Sequence, residues 1–102
     1  MSKRLPSELR IGPHLVPVRQ DPLPKKQLGE TKWDPGPTIR LRAGLPKHLQ
    51  AMTLVHELAH VMADTHGWGW EEEQVLAFEA VFCAVLQRNP HLLTYLQDAF
   101  RQ

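Results

Sequence analysis

Eight of the nine prolines lie at or before Pro46, and that placement constrains the fold more than any other feature of the chain. Each proline removes a backbone donor and disfavours helix in the residue before it. The first half therefore reads as short strands and turns. Leu9-Arg10-Ile11 and His14-Leu15-Val16-Pro17-Val18 suggest two strands around Gly12-Pro13. Residues 21–26 form a loop, Gly29-Glu30-Thr31-Lys32-Trp33 a further strand, and Asp34-Pro35-Gly36-Pro37 a strong turn signal. Thr38-Ile39-Arg40-Leu41-Arg42 alternates polar and apolar side chains, the pattern of a half-buried strand. Prolines in or beside strands favour edge positions, so a small, irregular sheet is expected.

Beyond Gly44-Leu45-Pro46 the pattern changes. Pro46 suits the first turn of a helix. No Gly or Pro follows until Gly67, and Leu49, Met52, Val55, Ala59 and Met62 recur at three- and four-residue steps. That periodicity predicts an amphipathic helix from 47 to about 65, ended by Gly67 and Gly69. Glu71-Glu72-Glu73 opens a second helix, its acids placed where the helix dipole favours them. It carries Val75, Phe78, Phe82, Val85 and Leu86 on one side and stops at Asn89-Pro90. A third, short helix runs from 91 to 100 through Leu92, Leu93, Leu96 and Phe100.

The expected fold is α+β: a small, mostly antiparallel sheet packed on two or three helices. The 102 residues make one domain, with strands and proline-rich loops over 1–45 and a helical half over 46–102. Nine bases and four acids give residues 1–46 a net charge of +5, while three bases and seven acids give the rest −4. With a total of +1 and no basic motif, nucleic acid is not the expected partner. No apolar run reaches the roughly 18 residues of a membrane span, so no membrane partner is expected. Met1-Ser2-Lys3-Arg4-Leu5-Pro6 has charge but no apolar stretch behind it, so no secretory leader is expected. Cys83 is the single cysteine, which excludes an internal disulfide and fits a reducing cytoplasm.

The chemistry sits in the long helix. His56-Glu57-Leu58-Ala59-His60 is an H-E-x-x-H sequence. Residues at i and i+4 share a helix face, so both imidazoles can reach one tetrahedral Zn²⁺ at about 2.0–2.1 Å. Glu57 lies beside the first histidine, placed to take a proton from a water that zinc brings to a pKa of roughly 7. Composition alone produces the pattern in about 2% of chains like this one. The weight therefore rests on context: a predicted helix, with Leu54-Val55 before the motif and Val61-Met62 after it. The plain alternative is a helix bearing two part-exposed histidines and a solvated glutamate.

A catalytic zinc usually takes three protein ligands and leaves one position open. Asp64 is eight residues from His56, a rise of about 12 Å, too far for one ion to bind both. It could instead support a ligand, or simply end the helix. His66 could fold back, though a histidine at a helix C-terminus is favoured there by the dipole alone. The second helix is the better source. Glu72 and Glu79 fall on one stripe with Val75, Phe82 and Leu86, Glu71 falls at its edge, and Glu73 falls opposite, in solvent. A carboxylate on a packed stripe needs a partner, which a metal ion would supply. Both Glu72 and Glu79 qualify by position.

Thr38-Ile39-Arg40-Leu41, then Leu45, then Thr53-Leu54-Val55-His56-Glu57-Leu58-Ala59-His60-Val61-Met62, resembles the core of the ImmA/IrrE-type metallopeptidases and their small phage-encoded relatives. Glu72-Glu73, the hydrophobic helix and Asn89-Pro90 match the small relatives as well, so the similarity covers roughly residues 36–96. The resemblance implies a minimal gluzincin-like zincin core: metal ligands His56, His60 and Glu72, with Glu71 and Glu79 as the other choices for the third, and Glu57 as general base. It implies a peptide or protein substrate, bound in extended form by strand addition to Thr38, Ile39, Arg40, Leu41 and Arg42. Against the larger members, residues 60–72 leave no room for their long insert between the metal helix and the acidic helix, and no additional domain is expected.

Three further features carry less. Cys83, flanked by Phe82, Ala84 and Val85, reads as an inert core thiol. Trp68 and Trp70 read as packing between helices, and Tyr95 as packing rather than an oxyanion donor. The expected function is zinc-dependent peptide hydrolysis. The alternative is a non-catalytic, zinc-stabilised interaction module, of phage origin by the same resemblance.

Overall fold

The computed structural model describes residues 4–24 and 26–101. The start of the segment read for a leader, Met1-Ser2-Lys3, and Lys25 of the 21–26 loop lie outside them. Four strands precede three helices: β1 (Glu8–Ile11), β2 (His14–Asp21), β3 (Gly29–Lys32), β4 (Thr38–Arg42), α1 (Lys47–His66), α2 (Glu72–Arg88) and α3 (Leu92–Phe100). The fold is α+β. The sheet has the order β1-β2-β4-β3, with β1–β2 and β3–β4 antiparallel and β2–β4 parallel.

β2 runs through Pro17 to Asp21, farther than expected, and it is not an edge strand. The register shows how a central strand accommodates a proline. Residues 14–17 pair only with β1, and residues 18–21 pair only with β4. Pro17 therefore stands at the change of partner, where no ladder bond to β4 is required of it.

One face of the sheet forms the core. Ile11, Val16, Val18, Ile39 and Leu41 pack with Val61 of α1, and Leu54 and Leu58 cover their margin. The alternation of β4 places Ile39 and Leu41 inside and Arg40 on the opposite face. There Arg40 joins three strands, its guanidinium donating to Asp21 of β2 at 2.8 Å and to Glu30 of β3 at 2.7 Å.

α1 lies over β3 and β4, and α2 packs on α1. Two covered sides explain why the expected stripe of α1 is only partly what is buried. Of Leu49, Met52, Val55, Ala59 and Met62, only Ala59 is fully buried; Thr53, Glu57, Val61 and Ala63 are the others. Val61 faces the sheet, whereas Ala59 and Ala63 lie around the helix on the side of α2, where small residues permit close approach. Gly67 ends α1 in the left-handed conformation (φ 65°) with its N–H on the Ala63 carbonyl. α2 turns Val75 and Cys83 inward but leaves Val81, Phe82 and Val85 exposed, so its apolar residues do not form the single face expected. α3 has no buried residue.

Candidate metal centre

His56 and His60 stand one turn apart on α1 with ring centroids 4.9 Å apart. Glu72 begins α2, and its carboxylate spans the two rings. One oxygen lies 2.8 Å from His60 Nε2 and the other 3.2 Å from His56 Nε2. Ligand atoms of these three residues all lie within 4.8 Å of one another, the one such cluster among the described residues. Two donors on a tetrahedral ion with bonds of about 2.0–2.1 Å stand roughly 3.3 Å apart, so the spacing is of the size a cation requires.

The other nitrogen of His56 sharpens this. Nδ1 lies 2.8 Å from Glu79 Oε1, and Glu79 is largely covered by the helix pair. A neutral imidazole carries one N–H. With that proton donated to Glu79, the Nε2 lone pair faces the Glu72 carboxylate, and like lone pairs need a proton or a cation between them. The donor set, two imidazole nitrogens and one carboxylate, fits zinc or a neighbouring transition ion.

Glu57 sits beside this cluster on the side of the sheet. It is 6% exposed, and the Thr31 hydroxyl of β3 donates to its Oε1 at 2.8 Å. Burial pushes the Glu57 carboxyl above its ordinary value; the Thr31 hydrogen bond and the two nearby histidines pull it partly back. Thr53, one turn earlier, directs its hydroxyl to the Leu49 carbonyl at 2.7 Å and its methyl toward β3.

Two openings flank the centre. One, about 360 Å³, is bounded on its outer side by Leu28, Leu49 and Leu76. The other, about 380 Å³, is bounded by Thr31, Trp33 and Asp64. His56, Glu57, Glu72 and Gly29 border both.

The structure brings His56, Glu57, His60 and Glu72 together. Glu79 stands on His56 Nδ1 instead of joining the ligand cluster. Glu71 caps α2, its backbone N–H donating to the Gln74 side chain at 2.7 Å. His66 is not in the cluster either; it stacks on Trp68, which continues through Trp70 and Phe78 to Phe82. Tyr95 is exposed and borders neither opening.

Strand addition to Thr38, Ile39, Arg40, Leu41 and Arg42 is corrected by the sheet order. β4 lies between β2 and β3, and Ile39, Arg40 and Leu41 are paired on both sides. Its side chains are committed as well. Ile39 and Leu41 are core, Arg40 bridges two acids, and Arg42 donates to the Gln27 and Pro24 carbonyls. The two edge strands are β1 and β3; of these, β3 lies under α1 and also supplies Thr31. Sequence reasoning missed both Thr31 and this edge. The one local signal for Thr31 is indirect, its place two residues after Gly29. The signal for Glu79, an acid on a packed stripe, was present but compatible with either role.

Comparisons with protein-family models, with curated proteins and with solved structures find no match to this chain.

Proposed function

We propose that the chain is a zinc-dependent peptidase of the ImmA/IrrE-like kind, acting on a peptide or protein substrate. The observation that carries the reading is the convergence of His56 Nε2, His60 Nε2 and the Glu72 carboxylate, with the buried Glu57 carboxylate alongside. A divalent ion held by those three residues supplies Lewis acidity toward a water and a peptide carbonyl. Glu57 handles the proton. It accepts one from the attacking water as the new C–O bond forms and returns it to the nitrogen as the C–N bond breaks. Thr31 fixes the carboxylate through Oε1 and leaves Oε2 free for this work. Glu79 fixes the ring of His56 so that Nε2 points at the ion.

The open side of β3 offers an extended substrate its backbone hydrogen bonds. The two openings differ in character, so a substrate with an apolar side chain toward Leu28, Leu49 and Leu76 is favoured. No described helix is long and apolar enough to cross a membrane. We place the protein in the cytoplasm, where its lone buried thiol suits a reducing setting.

The same ion would tie α1 to α2, and α2 itself fully buries only Val75 and Cys83. That favours, as a second reading, a zinc-stabilised module without catalysis. Two measurements separate them: metal content by elemental analysis, and cleavage of a mixed peptide library by wild type and Glu57→Gln. Stoichiometric zinc in both proteins with cleavage only by wild type supports the peptidase. Zinc with no cleavage by either supports the module, and no zinc uptake by either refutes both.

A further inference from the structure

The face of α2 turned away from α1 is apolar and uncovered. Phe78, Val81, Phe82 and Val85 line an open groove of about 500 Å³ with Ala77 and Gln74, and Trp70 borders it against Phe78. Val81 is 65% exposed. The apolar surface of α2 thus runs on past the line through Val75 and Cys83 that α1 covers, and the remainder is open.

The order of residues along this face says what fits the other. Read from either end, the stripe is complementary to itself. Run antiparallel to a second α2 about an axis between Phe78 and Val81, it sets Phe78 against Val81, small Ala77 against large Phe82, and Gln74 against Val85. The same register sets Glu71, at the start of α2, opposite Arg88, at its end. Charge and size thus match in one alignment, with Gln74 against Val85 the one polar–apolar pair, and the pairing is reciprocal as a twofold interface requires, where residue i meets j and j meets i.

We propose that a second copy of this chain docks here, α2 against α2 in antiparallel register. The interface leaves the metal centre open, because His56, His60 and the Glu72 carboxylate lie on the α1 side of α2. The proposal does not depend on the peptidase reading.

The test is sedimentation equilibrium of the full chain, supported by helicity from circular dichroism to show that each variant is folded. Wild type at up to about 200 μM is expected to have twice the 11.7 kDa chain mass. Val81→Glu, exposed in the single chain, is expected to fold and remain monomeric. Arg88→Glu sets Glu against Glu71, and Glu71→Lys sets Lys against Arg88; each alone is expected to weaken pairing about ten-fold or more. Mixed, these two variants restore opposite charges at both ends, so a heterodimer is expected where neither pairs well alone. A monomeric wild type overturns the proposal and leaves the groove to a different partner. A dimer indifferent to Val81→Glu, or no heterodimer on mixing, overturns it equally.

Discussion

Gly29→Ala tests how tightly the edge strand is pressed onto the metal helix. Gly29 is not in the positive-φ region, so its backbone tolerates alanine. On backbone entropy alone the change should stabilise the fold by about 0.4–1 kcal/mol. The surroundings reverse that sign. A Cβ at Gly29 would lie 2.8 Å from Thr53 Cγ2, 3.2 Å from the Arg40 carbonyl oxygen and 3.2 Å from Glu57 Oε2. Thr53 cannot easily yield, because it is buried and its hydroxyl is bonded to the Leu49 carbonyl at 2.7 Å. Overpacking of this kind costs about 1–3 kcal/mol, so the expected net loss is about 1–2 kcal/mol. For a domain of this size each kcal/mol lowers Tm by roughly 4–8 °C. The assay is urea unfolding of four proteins: wild type, Gly29→Ala, Thr53→Ser and the double variant. Thr53→Ser removes the clashing methyl and keeps the hydroxyl, so the double variant should recover about 1 kcal/mol relative to additivity. Gly29→Ala at least as stable as wild type would refute the close approach of β3 to α1.

Glu57→Gln should keep bound zinc and lower peptide cleavage by about 10²–10⁴-fold, checked by elemental analysis and initial rates; undiminished cleavage would remove Glu57 from the chemistry. Glu79→Ala should weaken zinc affinity by about 10–100-fold in competition with a chromophoric chelator, because His56 loses the partner of Nδ1; unchanged affinity would contradict that role. Thr31→Val should destabilise the protein by about 1–3 kcal/mol in urea, since a buried carboxylate loses its donor; a neutral result would mean that Glu57 finds another. Burial raises the Cys83 thiol pKa, with Glu79 adding to the effect. At pH 8.5 native protein should therefore react with a disulfide reagent more slowly than free cysteine, and at the free rate once unfolded. A raised folded pKa also means that this stabilising contribution is complete below the unfolded value and fades as pH rises through the folded one, so thermal stability should drop on the alkaline side in wild type more than in Cys83→Ala.

The local elements were legible because their signals are local. Gly12-Pro13 and Asp34-Pro35-Gly36-Pro37 punctuate the strands, and β1, β3 and β4 fall within a residue or so of where alternation places them. The helices follow the same way from Pro46, Gly67, the acids at 71–73 and Asn89-Pro90. The order of the sheet was not legible. A short turn between β3 and β4 fixes their antiparallel pairing, but nothing in β2 announces that its second half pairs with β4 in parallel. The two faces of α2 were merged for a related reason. Val75 and Phe78 are three residues apart and share a broad stripe on paper, yet α1 covers the line through Val75 and Cys83 and leaves the line through Phe78 and Val81 open.

The site divides along the same line. His56 and His60 are a fixed four residues apart on one helix, so helix geometry alone brings them together. The stripe left Glu72 and Glu79 both open, and the register of α2 against α1 separates them: the exposed Glu72 meets both histidines, while the covered Glu79 meets His56 Nδ1. Which strand borders Glu57 depended on the side to which the chain turns after β4. The residues 43–46 allow α1 to cross over either neighbour of β4. The sequence nevertheless holds a trace of the answer in Gly29. Gly29 opens β3, and a glycine in a strand can mark a place where another backbone or helix comes close. Here it is the point at which Thr53 and Glu57 approach β3 with no room for a methyl group. The strand that faces the metal helix is thus the one that carries the isolated glycine, and Thr31, two residues farther on and on the same side of the pleat, is thereby aimed at Glu57.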